Sequence, residues 1–162
     1  MATFDLNALT AALGALGYPA TDVGDDELQI MLAGQGEVPD RPTAVRWVDL
    51  SEGPHLLMFS TSYPFAAPAD SIGDVVRAAH ETTQYLVLGH FEVDDDASVH
   101  LRYSTVVDAD DPPSPAVLAN IVGLLDHQQL HFGDYLESIC TGEVTIDLYA
   151  DLIAEGEASG ID

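Results

Sequence analysis

The residues with the best claim to chemistry lie in one short run, His127-Gln128-Gln129-Leu130-His131. Two histidines at this spacing fall one helical turn apart, as in a zinc protease that presents two imidazoles to one ion. That motif also carries a general-base glutamate beside its first histidine, and Gln128 stands in its place. An amide cannot serve as that base. The run therefore reads either as a metal-binding pair, His127 and His131, with Asp126, Asp134 or Glu137 near enough in sequence to complete a site, or as two solvated histidines on a polar helix face. The second reading is preferred, so no metal is assigned. The acidic clusters at 22–27, 94–96 and 108–111 lack the alternate acids, sixth-position glycine and twelfth-position glutamate of a calcium loop, and read as hydrated turns. Serine, histidine and aspartate are all present, but none lies in a nucleophile elbow. Gly34-Gln35-Gly36 has no third glycine and opens no helix, so it is no dinucleotide fingerprint.

Composition excludes more chemistry than it suggests. The chain has 162 residues, 47% of them hydrophobic, enough for one domain with a substantial core. It carries 28 Asp and Glu against four arginines and no lysine, a formal charge of -24. Without lysine there is no Walker-type phosphate lysine, Schiff base or Ser-Lys dyad. Such a charge repels phosphate backbones and anionic lipids, so direct nucleic-acid or membrane binding is disfavoured and a basic partner favoured; the same charge also serves solubility alone. The single cysteine, Cys140, allows neither a disulfide framework nor a CxxC motif and reads as a buried thiol. The start of the chain has no positive charge ahead of its leucines, and no run approaches membrane-spanning length, so a soluble cytoplasmic protein is expected.

The elements that must position these residues are more legible. Tyr85 to Val107 reads as a β-hairpin: Tyr85, Val87, Phe91 and Val93 alternate on one arm, Val99, Leu101, Tyr103, Thr105 and Val107 on the other, and residues 94–97 make the reversal. Its other face carries His90, Glu92, Ser98, His100, Arg102 and Ser104. Ahead of it, Leu6, Leu9, Leu13 and Leu16 mark a helix with Asp5 as N-cap and Gly17 as stop. Strands are expected at 28–32, 43–50 and 55–61, then a loop over 62–70 and a helix bearing Ile72, Val75, Val76 and Ala79. Ser114-Pro115 starts a third helix carrying Leu118, Ile121, Val122, Leu125 and Phe132, which runs on or restarts near Gly133 and ends at Gly142. A last helical piece spans 144–153. Residues 1–155 thus read as a single α+β domain and 156–162 as a frayed tail. The expected fold is an antiparallel five-stranded sheet with helices packed on one face, in the order α-β-β-β-α-β-β-α.

That order resembles the YbjN-like bacterial proteins, which share the fold of the type III secretion chaperones. The similarity rests on Gly17-Tyr18, on Leu101-Arg102-Tyr103 and above all on the run from Phe132 through Gly133-Asp134-Tyr135-Leu136 to Gly142. Ahead of the hairpin the family often has asparagines where this chain has Ala79-His80-Glu81-Thr82-Thr83, so no role attached to that turn carries over. The resemblance implies a type III secretion chaperone-like fold, no catalytic activity, a homodimer that binds segments of other proteins, and a place in stress adaptation or regulation.

A sheet roofed on one side also needs cover on the other, and Leu56 to Phe59 with Trp47, Val48, Leu86 and Leu88 offer more apolar surface than one helical layer buries. The preferred expectation is a non-enzymatic, homodimeric adaptor or chaperone-like protein, with no cofactor, that holds a basic protein partner, a nucleic-acid-binding protein being one candidate. Trp47, Tyr63, Phe65, Leu86 and Leu88 are the candidate partner contacts. The alternative is a metal-binding or metal-sensing protein using His127 and His131.

Overall fold

The computed structural model describes residues 5–34, 39–50, 54–108 and 110–159. Helix α1 (Leu6–Ala15) begins where the Asp5 carboxylate accepts the Ala8 amide at 2.9 Å. It ends at Gly17, whose φ of +90° lets the Tyr18 amide reach back to the Leu13 carbonyl. Four strands follow: β1 (Thr21–Gly24), β2 (Glu27–Leu32), β3 (Arg41–Asp49) and β4 (His55–Ala66). Helix α2 (Ile72–Thr83) leads to β5 (His90–Val93) and β6 (Ser98–Val107), and α3 (Pro115–Cys140) and α4 (Ile146–Ser159) complete the described chain. Every pairing is antiparallel, in the spatial order β1-β2-β3-β4-β6-β5.

The α+β class and the antiparallel sheet are as the sequence leads one to expect, but among the described residues the sheet has six strands rather than five. The added strand is β1, whose four residues are all exposed and carry no apolar alternation. It forms because Gly24, Asp25 and Asp26 turn through positive φ and lay it along β2. The segment Tyr85 to Leu88 is a turn and not the first arm of the hairpin, which starts only at His90. A glutamine reaching from α3 overrides the local alternation: Gln128 Oε1 accepts the Val87 and Leu88 amides at 2.8 and 3.0 Å, and its Nε2 donates to the Leu88 carbonyl at 2.7 Å. Strand β4 runs on to Ala66 where a loop was expected, its register with β6 breaking between Ser62 and Ala66 around Pro64. Helix α3 continues through Gly133 without restarting, and α4 extends to Ser159 rather than stopping at Ile153.

One face of the sheet supplies the core. Leu28, Ile30, Leu32, Val45, Trp47, Leu57, Phe59, Phe91, Val99 and Leu101 alternate onto it, and each is buried. Against them lie Leu9 and Leu13 of α1, Val75 and Ala79 of α2, the apolar stripe of α3 from Leu118 to Ile139, and Tyr149 and Ile153 of α4. Among the described residues no helix is long and apolar enough to cross a membrane.

Candidate functional site

The opposite face of the sheet contains no buried residue among those described. Its register divides it into two regions. Val48, Leu56 and Val106 are direct cross-strand partners on β3, β4 and β6, with Val48 36% and Val106 62% exposed. Leu50, just past β3, is also exposed, and Met58 flanks the row. Away from this apolar end the face turns polar: Arg46, Ser60, Ser62, His100, Arg102, Glu27 and Asp94 line one depression.

The polar region is tied together by its own charges. Arg46 pairs with Glu27 on the neighbouring strand, and Arg102 spans Glu92 at 2.7 Å and Asp94 at 2.6 Å. His100 sits beside this fork: its Nδ1 lies 3.2 Å from Ser62 Oγ, and its Nε2 lies 2.8 Å from Ser98 Oγ and 3.3 Å from Asp94 Oδ2. A hydroxyl on one ring nitrogen and a carboxylate on the other is the order of a hydrolase triad. Two features argue for a structural lattice instead. Ser98 shares the same imidazole nitrogen, and Ser62 lies within a paired strand, whose amides are committed to the ladder and not gathered into an oxyanion hole. Ser98 also donates to Asp96 at 2.5 Å from its hydroxyl and 3.0 Å from its amide, which holds that carboxyl below its usual range. These contacts tie β5 and β6 to the turn between them.

Trp47 and Tyr63, expected as partner contacts, lie on the helix-covered side and are buried. The Trp47 ring stacks on His55, with centroids 4.6 Å apart. Phe65 is half-buried against Tyr63, and Leu86 and Leu88 are half-buried in the turn that Gln128 clasps. The structure therefore does not bring these five residues together on an open surface. Strand parity explains why: Trp47 and Tyr63 share the pleat direction of Val45 and Phe59, whereas Val48, Leu56 and Met58 point the other way.

His127 and His131 do lie together and exposed on α3, with nearly parallel rings whose centroids are 5.8 Å apart. His131 also meets Phe132 and Tyr135 edge-on. Two imidazoles fall short of the ligand set of a zinc site, and among the described residues no group of three or more His, Cys, Asp or Glu converges.

Arg41 carries no motif that marks it in the sequence. This guanidinium is buried, donates to the Gln129 carbonyl at 2.9 Å and lies 4.3 Å over the Tyr63 ring. Gly133 makes room for it, since a Cβ there would fall 2.5 Å from Arg41 Nη1 and 2.8 Å from Tyr63 Cε1. Burial raises the Tyr63 hydroxyl well above its ordinary value, with Arg41 partly opposing the rise. The signal for this arrangement was available in the α3 stripe, where Gln128 and Gln129 occupy the apolar spacing between Leu125 and Phe132. No protein-family model matches the chain, and no curated protein matches it significantly.

Proposed function

We propose that this chain is a chaperone-like or adaptor protein, without catalytic activity of its own, that binds a basic partner protein and works as a homodimer in the bacterial cytoplasm. The observation that carries this reading is the one-sided sheet: helices cover one face, while the other presents an apolar row and a network of paired charges with nothing packed on it among the described residues. Faces of this kind mark protein interaction more often than chemistry. The charge of -24 selects the partner, because basic proteins are the ones such a field attracts and orients. A nucleic-acid-binding protein fits this description, its arginines and lysines being shared between phosphates and carboxylates. The antiparallel sheet with helices on one side is consistent with a fold like that of the type III secretion chaperones and the YbjN-like proteins, and with their role in stress response or regulation.

Light scattering tests the assembly. A species of twice 17.2 kDa that persists in high salt is expected, and a monomer at all salt concentrations would remove the homodimer. Partner capture from a bacterial lysate should weaken steeply between low and moderate salt, and salt-insensitive capture would remove electrostatics from the account.

A further inference from the structure

We propose that the open sheet face is where a second copy of this chain packs, about a two-fold axis running along β4; the proposal rests on the homodimer reading above and assigns its interface. Charge is the first observation. Acids outnumber arginines 28 to four in the whole chain, yet the charged strand residues on this face are Glu27, Arg46, Glu92 and Arg102, two of each sign. They are also engaged with one another: Arg46 holds Glu27, and Arg102 holds Glu92 together with Asp94 from the turn after β5. A basic segment docking here would have to break these pairs to reach a carboxylate. A second copy, whose face is balanced in the same way, leaves every pair intact and buries no unpaired charge.

The register supplies the second observation. Strand β4 is the middle strand of β2-β3-β4-β6-β5, and its open-side residues sit at the centre of successive cross-strand rows. Leu56 lies between Val48 and Val106, Met58 between Arg46 and Ser104, and Ser60 between Ala44 and Arg102. A two-fold along β4 exchanges β3 of one copy with β6 of the other and lays each row on itself. Val48 then meets Val106 of the second copy, Leu56 and Met58 meet their own counterparts, Arg46 meets Ser104 and Arg102 meets Ala44. No arginine faces an arginine. Sheets packed face to face keep their strands within about 30° of one another, so this register holds at the centre of the contact. At ordinary strand spacings the face offers roughly 550 Å² per copy, about 1,100 Å² for the pair, which suffices for a stable dimer.

The test is a charge swap across the axis, read as the dimer dissociation constant by light scattering over a concentration series. Val48→Lys and Val106→Asp should each raise that constant at least ~10-fold on their own. Mixed in equal amounts they should recover a species of twice 17.2 kDa, because the introduced ammonium of one chain falls on the introduced carboxylate of the other. Both side chains are exposed, at 36% and 62%, and thermal unfolding should confirm that each variant is folded. Val76→Asp, on the outer side of α2 and 48% exposed, should leave the dimer unchanged. A dimer indifferent to Val48→Lys and Val106→Asp, or one split by Val76→Asp, would overturn this interface while leaving the homodimer in place. Dissociation without recovery on mixing would overturn the axis along β4. A leucine-lysine peptide that splits the wild-type dimer would give the face to the basic partner instead. A wild-type protein that is monomeric at every concentration would overturn the homodimer reading together with its interface.

Discussion

At the scale of single residues, Gly133 is one of the tightly constrained positions. Its lack of a side chain allows a buried guanidinium to lie against α3, so Gly133→Ala should cost about 2 kcal/mol or more in chemical denaturation, despite alanine's better helix propensity. A gain in stability would show that Arg41 swings clear. Cys140 offers a second test. Burial pushes its thiol up to about 11, with Glu137 adding to the rise. The folded state keeps this proton where the unfolded chain has lost it. Stability should therefore fall as pH rises between about 9 and 11, with the buried Tyr63 and Tyr149 hydroxyls, both raised by burial from an ordinary value of 10.0, adding to the loss from about 10 upward. Melting temperatures across that range check the sign. Native Cys140 should also react slowly with iodoacetamide at pH 8.

At the scale of elements, α2 guards the edge of the sheet. The Phe91 amide points away from β6 and donates to Thr83 Oγ1 at 2.9 Å, while the same hydroxyl donates to the Ala79 carbonyl. Thr83→Val should cost about 1–2 kcal/mol through the orphaned amide and increase aggregation on heating, as light scattering would record. The elements legible in the sequence were those whose own residues carry the period: the capped α1, the α2 and α3 stripes, and the alternation of β6. The misread ones depend on distant partners. Tyr85 to Leu88 alternates like a strand, yet a glutamine forty residues further on holds it as a turn. Strand β1 has no pattern of its own and exists only against β2. The candidate face was half legible. Its apolar surplus was visible, but assigning Trp47 to the open side required the strand parity to be read from the wrong neighbours, and the meeting of two acidic turns, at Asp25 and Asp26 and at Asp108 and Asp111, at one end follows only from the strand order.

At the scale of the whole molecule, electrostatics oppose compactness. A charge of -24 on a chain of this size repels itself, and screening relieves that repulsion. The melting temperature should rise between low and moderate sodium chloride, whereas a flat response would mean that carboxylate repulsion is as strong in the unfolded ensemble. Bringing the pH down from 7 toward the isoelectric point near 4.1 should first stabilise the fold by the same route. It should also weaken binding of a basic partner protein, because protonation removes the attraction along with the repulsion.

The four arginines sit at Arg41 and Arg46 in β3, Arg77 in α2 and Arg102 in β6, so none lies in a loop. With no lysine in the chain, these are the only positions after which trypsin could cut, and the one at Arg41 is further protected by Pro42. The folded protein should therefore resist trypsin almost completely, with each cleavage waiting for a strand or helix to open. Cleavage after Arg46, Arg77 and Arg102 would then time the opening of β3, α2 and β6 separately.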